Sequence, residues 1–308
     1  MRFPWRQARL LVYLMIVAGL FLVRGRVRWE SLFPGSSPGA GDTLVVAGRD
    51  LAPGLVDRLV AFYQRDYPRL TIVVGGGGTN RALEDLINRQ ADVAFLVRPP
   101  RAEEQRLFRS ADGDTVLWFS VALGGIAFLA EESSRPARLT EQDLDKLARG
   151  EAPPGFPRVY VPDPNRGLWD ALQASRGSPA RDPQAGSGIV FLKDEAEILA
   201  ALRADPGALG VASTLALPEP LPSGVVMVRV GDASGKAVLP TYENIGLGEY
   251  PVTHALYASC RNRGDIQGAK FVTHLTGARG QRQIEKAGCV PALLYLREVV
   301  LTTHPMGN

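Results

Sequence analysis

The chain has 308 residues, with 35 basic and 32 acidic side chains and a formal net charge of +3. Its 45% hydrophobic and 22% charged content marks a foldable globular protein of two-lobe or two-domain size and excludes a disordered chain. Six arginines and one acidic residue, Glu30, fall in the first 30 positions, leaving 29 basic and 31 acidic groups beyond them. That balance argues against a basic nucleic-acid-binding domain, and two cysteines exclude a disulfide-dense scaffold or a four-cysteine zinc site.

Arg2, Arg6 and Arg9 precede an uninterrupted apolar run over residues 10–23. As a helix it would span roughly 21 Å, short of the roughly 30 Å hydrocarbon core. Residues 1–30 therefore read as a signal peptide or an uncleaved signal-anchor, and either places the rest outside the cytoplasmic membrane. Residues 31–41, with Phe33-Pro34-Gly35-Ser36-Ser37-Pro38-Gly39, read as a flexible tether.

Residues 43–47 form an apolar β-type run ending at Gly48, and 53–67 have helical spacing. A second strand over 71–74 runs into Gly75-Gly76-Gly77-Gly78, a helix follows over 81–89, and 91–97 is a third strand. Strands alternating with helices at this interval imply parallel βαβ units and an α/β fold. Residues 116–130 are apolar with Gly124-Gly125 at their centre; the β-branched content favours a long strand crossing between lobes over a membrane span. Thr140 is an expected N-cap with Asp143 at N3. Strands are expected at 159–161, 210–212, 225–230 and around Tyr257, helices at 169–175 and 194–203 and in pieces over 266–286, and a polar loop at 178–188.

Three segments share one layout, an apolar strand running into glycine and then a helix: Gly48-Arg49-Asp50, Gly75 to Asn80, and Asp163-Pro164-Asn165-Arg166-Gly167-Leu168. Such turns aim backbone N–H groups and a helix dipole at one point, which suits an anion. Taken singly, each is as well explained by a tight βα turn. The glycine run lacks the Lys-Ser/Thr ending of a P-loop and the third glycine of a dinucleotide fingerprint. Gly186-Ser187-Gly188 lacks the nucleophile-elbow spacing. His254, His274 and His304 lack metal-ligand spacing, and His254 reads as a structural or cleft-edge residue rather than a general base. Cys260 and Cys289 are read first as separate thiols and second as a disulfide.

In order and spacing, several segments resemble the phosphate-binding proteins of ABC transporters, the PstS family of the type II periplasmic binding fold. They are Gly48 with Pro53, the run from Gly75 to Gly78 followed by Ala91-Asp92-Val93-Ala94 and Arg98, and Gly125-Ile126-Ala127. Further along come Leu139-Thr140 to Gly150, Asp205-Pro206-Gly207-Ala208-Leu209-Gly210, Tyr250-Pro251, and Lys286-Ala287-Gly288-Cys289-Val290-Pro291. The resemblance covers residues 43–292 and implies a two-lobed α/β fold. Lobe I would comprise 42–122 and 245–308, lobe II 123–244, with hinges near Gly124-Gly125 and 245–250. It also implies capture of phosphate or a related small anion for ABC importer membrane subunits by hinge closure. No cofactor, no metal, no nucleic acid and no covalent chemistry are expected, and the chain is expected to act as a monomer anchored or secreted on the periplasmic or extracellular face.

The ligand positions depart from that family. Arg49 and Leu51 stand where it places hydroxyls after the first strand, Gly124 replaces its Asp, and Asp163 to Leu168 keeps only Gly167 of its Arg-and-hydroxyl signature. The expected anion site is therefore Gly48, Arg49, Asp50, Gly77, Gly78, Thr79, Asn80, Arg98, Gly124, Arg166 and Gly167. Guanidinium groups would replace lost hydroxyl donors. The competing reading leaves Arg49 and Arg166 solvated or paired with Asp50, Asp163 or Asp170. It makes the protein a membrane-tethered sensor or assembly subunit that has lost phosphate binding, with a hydrolase or transferase as a remoter alternative.

Overall fold

Pro53 opens the first helix where its missing N–H is no loss, and Leu55, Val56, Leu59, Phe62 and Tyr63 give that helix one buried face. The computed structural model describes residues 43–134, 138–179, 187–231, 235–263 and 266–293. The elements in its first half are β1 (Thr43–Ala47), α1 (Pro53–Asp66), β2 (Thr71–Val74), α2 (Thr79–Ile87), β3 (Val93–Leu96), α3 (Ala102–Asp112), β4 (Val116–Glu131) and α4 (Glu141–Ala148). Next come β5 (Arg158–Pro162), α5 (Leu168–Ser175), β6 (Ile189–Leu192), α6 (Glu195–Ala204), β7 (Ala208–Ser213), β8 (Val225–Met227), β9 (Val230–Gly231) and β10 (Ala237–Val238). The last are α7 (Tyr242–Gly246), β11 (Thr253–Arg261), α8 (Ile266–Thr276), α9 (Ala278–Lys286) and β12 (Val290–Pro291). The export segment and tether expected over residues 1–41 lie outside the described residues, as does most of the 178–188 loop. Among the described residues no helix is long and apolar enough to cross a membrane.

The main sheet runs β2-β1-β3-β11-β4-β7-β5-β6, with β12 and β8 also on β4. β1 is parallel to β2 and β3, and β5 is parallel to β6 and β7, as the βαβ spacing implies. The 16-residue β4 joins the two groups: its first part pairs antiparallel with β11, its second with β7 and β8. One apolar core gathers Leu44, Leu59, Tyr63, Phe95 and Phe271; another gathers Phe128, Val159, Trp169, Leu172 and Leu209. The fold is thus α/β and two-lobed, each lobe with helices packed on its share of the sheet.

Several elements differ from expectation, β6 and α7 among those not foreseen. The run expected at 225–230 is two strands: β8 follows β4, Val228 N–H bonds Phe128 O, and β9 turns away to pair with β10. Helix α3 escapes a periodicity reading because it is mostly polar, with Phe108 fully buried. The expected cap on α4 is a full box: Thr140 Oγ1 accepts from Asp143 N–H, and Asp143 Oδ2 accepts from Thr140 N–H. Cys260 and Cys289 are separate thiols, Cys260 buried in the first core and Cys289 packed against it.

Arg261 and Asp114 form an ion pair of 3.2 Å, each side chain 2% exposed. Asp114 also accepts from the N–H groups of Thr115 and Arg263, and Arg261 donates to Leu86 O and Ile87 O, the last carbonyls of α2. Removing one member leaves the other charged and dry. Asp114→Ala is expected to lower unfolding free energy by about 3–5 kcal/mol in urea titrations. A loss below about 1 kcal/mol, the scale of a surface pair, would mean that Arg261 finds water instead.

Candidate functional site

Each of the three strand-glycine turns sits at the C-terminal end of a parallel strand. β1 ends at Gly48, whose N–H and that of Arg49 bond the carbonyls of Gly76 and Gly75, tying the first turn to the second. In the second turn Gly77 has φ 102, a left-handed conformation that suits glycine. Its N–H donates to Asp50 Oδ2 at 2.8 Å. In the third turn Asp163 Oδ1 accepts from Asn165 N–H at 2.8 Å, and Gly167, with φ 84, leads into α5.

The second and third turns touch directly. A Cβ on Gly78 would lie 2.5 Å from Asn165 O and 2.6 Å from Arg166 Cα, so a residue larger than glycine has no room. The fully buried Thr79 Oγ1 donates to Arg166 O at 2.8 Å and accepts from Val97 N–H at 3.1 Å. Asn80 Nδ2 donates to Asn165 Oδ1 at 3.2 Å.

The arginines are already matched. Arg166, its side chain 10% exposed, donates from Nη2 to Asp50 O at 2.6 Å and to Glu195 Oε2 at 2.7 Å. Its buried Nε has no partner. Arg98, 6% exposed, holds both Glu104 oxygens at 2.7 and 2.8 Å, donates to Asn80 Oδ1 at 2.7 Å, and has Nε 3.0 Å from Asp170 Oδ2. Arg101 Nη2 reaches the same Asp170 oxygen at 2.6 Å. Arg49 turns to Asp57 in a two-pronged pair at 2.6 Å. Gly124 lies on β4, where a Cβ would meet Leu215 and His254.

These pairings set the proton affinities. Burial drives the Glu195 carboxyl above its ordinary value, outweighing the pull of Arg166. Burial also pushes Glu104 up, but Arg98, the Arg101 N–H and the Arg101 charge together hold it below the usual range. The hydrogen bond from Arg49 lowers Asp57. Two surface cavities, of about 390 and 510 Å³, lie away from the turns, one beside Trp118 and Phe119, the other beside Tyr67 and His274.

A family model described as a PBP superfamily domain matches residues 34–279. The chain belongs to the PBP superfamily. No curated protein matches it in sequence. Solved structures share the type II two-lobed fold. A putative phosphate ABC transporter substrate-binding protein with bound phosphate from Clostridium perfringens superposes with a TM-score of 0.64 at 18% identity, over 82% of this chain and 100% of that one. An ABC-type phosphate transport receptor from Vibrio cholerae gives 0.60 at 17% identity, over 80% and 99%. The CcmR regulatory domain from Synechocystis PCC6803 in complex with 2-PG gives 0.51 at 11% identity, over 76% and 95%. At these identities the likeness is one of fold.

Within this PBP-superfamily chain, bonds link Asp50, Gly77, Thr79, Asn80, Arg98 and Arg166, with Gly78 and Gly167 packed between them. Arg49 points to Asp57, and the nearest side chains at Gly124 are Leu215 and His254. Sequence reasoning missed Glu104, Asp57 and Glu195 as partners; Asp170 pairs with Arg98 and Arg101 rather than with Arg49 or Arg166. The available signal was acidic residues in the first turns of α3, α5 and α6, where a helix dipole favours them.

His254 Nε2 lies 2.9 Å from Ser213 Oγ, which also accepts from Leu215 N–H. Both members of this pair are buried. Burial lowers the imidazole to about 4, with the Ala255 backbone opposing. A depressed folded value means stability present above the unfolded value near 6.5 and lost as pH falls through 4. The loss by pH 4 is about 3 kcal/mol, since each unit is worth about 1.4 kcal/mol. Glu195, with its raised value, works the opposite way. Urea midpoints measured from pH 7 to 4 are expected to fall more steeply for the native chain than for His254→Asn. Parallel curves would place the titrating group elsewhere.

Proposed function

We propose that the protein is a non-catalytic extracytoplasmic solute-binding protein that holds phosphate or a related small anion between its lobes. It would be held at the membrane through its N-terminal segment and would present the anion to ABC importer subunits. The observation carrying this reading is the meeting of the turns: residues 78–80 pack against Asn165 and Arg166, and the Arg166 guanidinium reaches the carbonyl of Asp50 in the turn after β1. The phosphate-related names of the Clostridium and Vibrio proteins point the same way. Lobe I is taken as 42–122 with 245–308 and lobe II as 123–244. Closure would hinge at Gly124-Gly125 and near Tyr250, whose hydroxyl donates to Ile126 O at 2.7 Å.

A second reading, a membrane-tethered sensor or assembly subunit without phosphate capture, is favoured by one observation. The Arg166–Glu195 and Arg98–Asp170 pairs engage charges an anion would use. An anion must outcompete them, and the family's hydroxyl donors are missing. Each unmatched oxygen of a buried anion costs about 1–3 kcal/mol.

Calorimetry with inorganic phosphate and with sulfate decides. Weak binding, with Kd on the order of 10 µM or higher, is expected for phosphate. Sub-micromolar affinity would defeat the expected weakness while supporting the capture role. Silence toward both anions at millimolar concentration would leave the sensor reading.

A further inference from the structure

The second turn already holds a negative charge. Asp50 follows β1, yet its Oδ2 accepts the Gly77 N–H from the neighbouring turn at 2.8 Å. The carboxylate is packed into that turn: its carbon lies 3.0 Å from where a Cβ on Gly76 would stand. From the other lobe, Arg166 Nη2 grips the carbonyl of the same residue at 2.6 Å. The nine-tenths-buried Arg166 also has an Nε without a partner. An oxyanion entering between the turns would seek the donors that Asp50 now engages.

We propose that Asp50 is a tethered carboxylate occupying the anion seat on the Gly77 N–H, so that it sets both the affinity and the selectivity of the cleft. The inference rests on the anion-receptor reading and names the residue that tunes it. A tethered group competes at high effective concentration, so an external monocarboxylate gains nothing by replacing it. A doubly charged tetrahedral oxyanion brings more charge and more acceptors, and can also use the idle Arg166 N–H. The seat therefore selects phosphate-class dianions over acetate or formate. The displaced carboxylate has Arg49 next to it in the chain, a guanidinium that already feels its charge.

Asp50→Ala empties the seat, and Asp50→Asn keeps an acceptor for Gly77 while dropping the charge. Calorimetry on the full chain with inorganic phosphate is expected to show at least about tenfold tighter binding for Asp50→Ala, with Asp50→Asn between it and the native protein. Hydrogen exchange in the peptide covering 75–79 is expected to quicken in Asp50→Ala without phosphate and to slow again when phosphate is added. If the native chain binds phosphate and neither variant binds it more tightly, the proposal is overturned and the receptor reading stands. If the native chain is silent while Asp50→Ala binds, the proposal holds and native phosphate capture falls. Silence from all three overturns the proposal. Asp50→Asn keeps the turn's hydrogen bond, so it decides the matter if Asp50→Ala does not fold.

Discussion

A guanidinium from one lobe, stripped of water and resting on a backbone carbonyl of the other, is the constraint to which the surrounding geometry answers. Arg166 is tolerable at that depth because Glu195 supplies the opposite charge and Asp50 O an acceptor. Those two bonds fix the spacing between the turns after β1 and β5. The spacing brings Asn165 and Arg166 so near residue 78 that only glycine fits. Thr79 then finds both its partners, one in each lobe. Asp170, shared by Arg98 and Arg101, makes a second fixed point. An exposed pair such as Lys236–Glu249 contributes little by comparison, because water screens it.

The lobes are not separate bodies joined by a linker. β4 belongs to both, and its central glycines lie where the sheet changes partners from β11 to β7. Leu215 and His254 crowd Gly124, while Pro240 and Ile245 crowd Gly125, so neither position has room for a side chain. The His254–Ser213 bond of 2.9 Å ties β11 to the end of β7 at this crossing. The same pair of buried side chains, met in isolation, would suggest a nucleophile and its base. Enclosure at the crossing, with Ser213 engaged by a backbone N–H, points to a structural role.

The strands and turns were legible in the sequence because β-branched runs ending in glycine have one economical outcome, a strand feeding a tight turn and a helix. The α4 cap was legible for a similar reason, since Thr140 and Asp143 act over three residues. Helix α3 was not, because a helix that buries little beyond Phe108 leaves no apolar stripe to read. The arginine partners were least legible. Arg166 finds Glu195 across 29 residues and Asp50 across 116, separations that topology decides and local pattern does not record. Arg49 could be placed at the site from its position after β1, but Asp57, on the next helix, was close enough to take it. The residues that line the turns could thus be listed from sequence, whereas whether their charges were spent or free could not.

That distinction governs what the cleft can do. A seat built of hydroxyls and backbone N–H groups offers donors that water satisfies loosely, and an arriving anion gains by replacing that water. Here Arg98, Arg101 and Arg166 meet Glu104, Asp170 and Glu195, and the Gly77 N–H meets Asp50. Separating these groups would leave charges without their partners, so the contacts between the turns need no guest to hold them together. Burial raises the Glu195 carboxyl above its ordinary value while the Arg166 charge pulls it down, so each partner's place at that depth depends on the other.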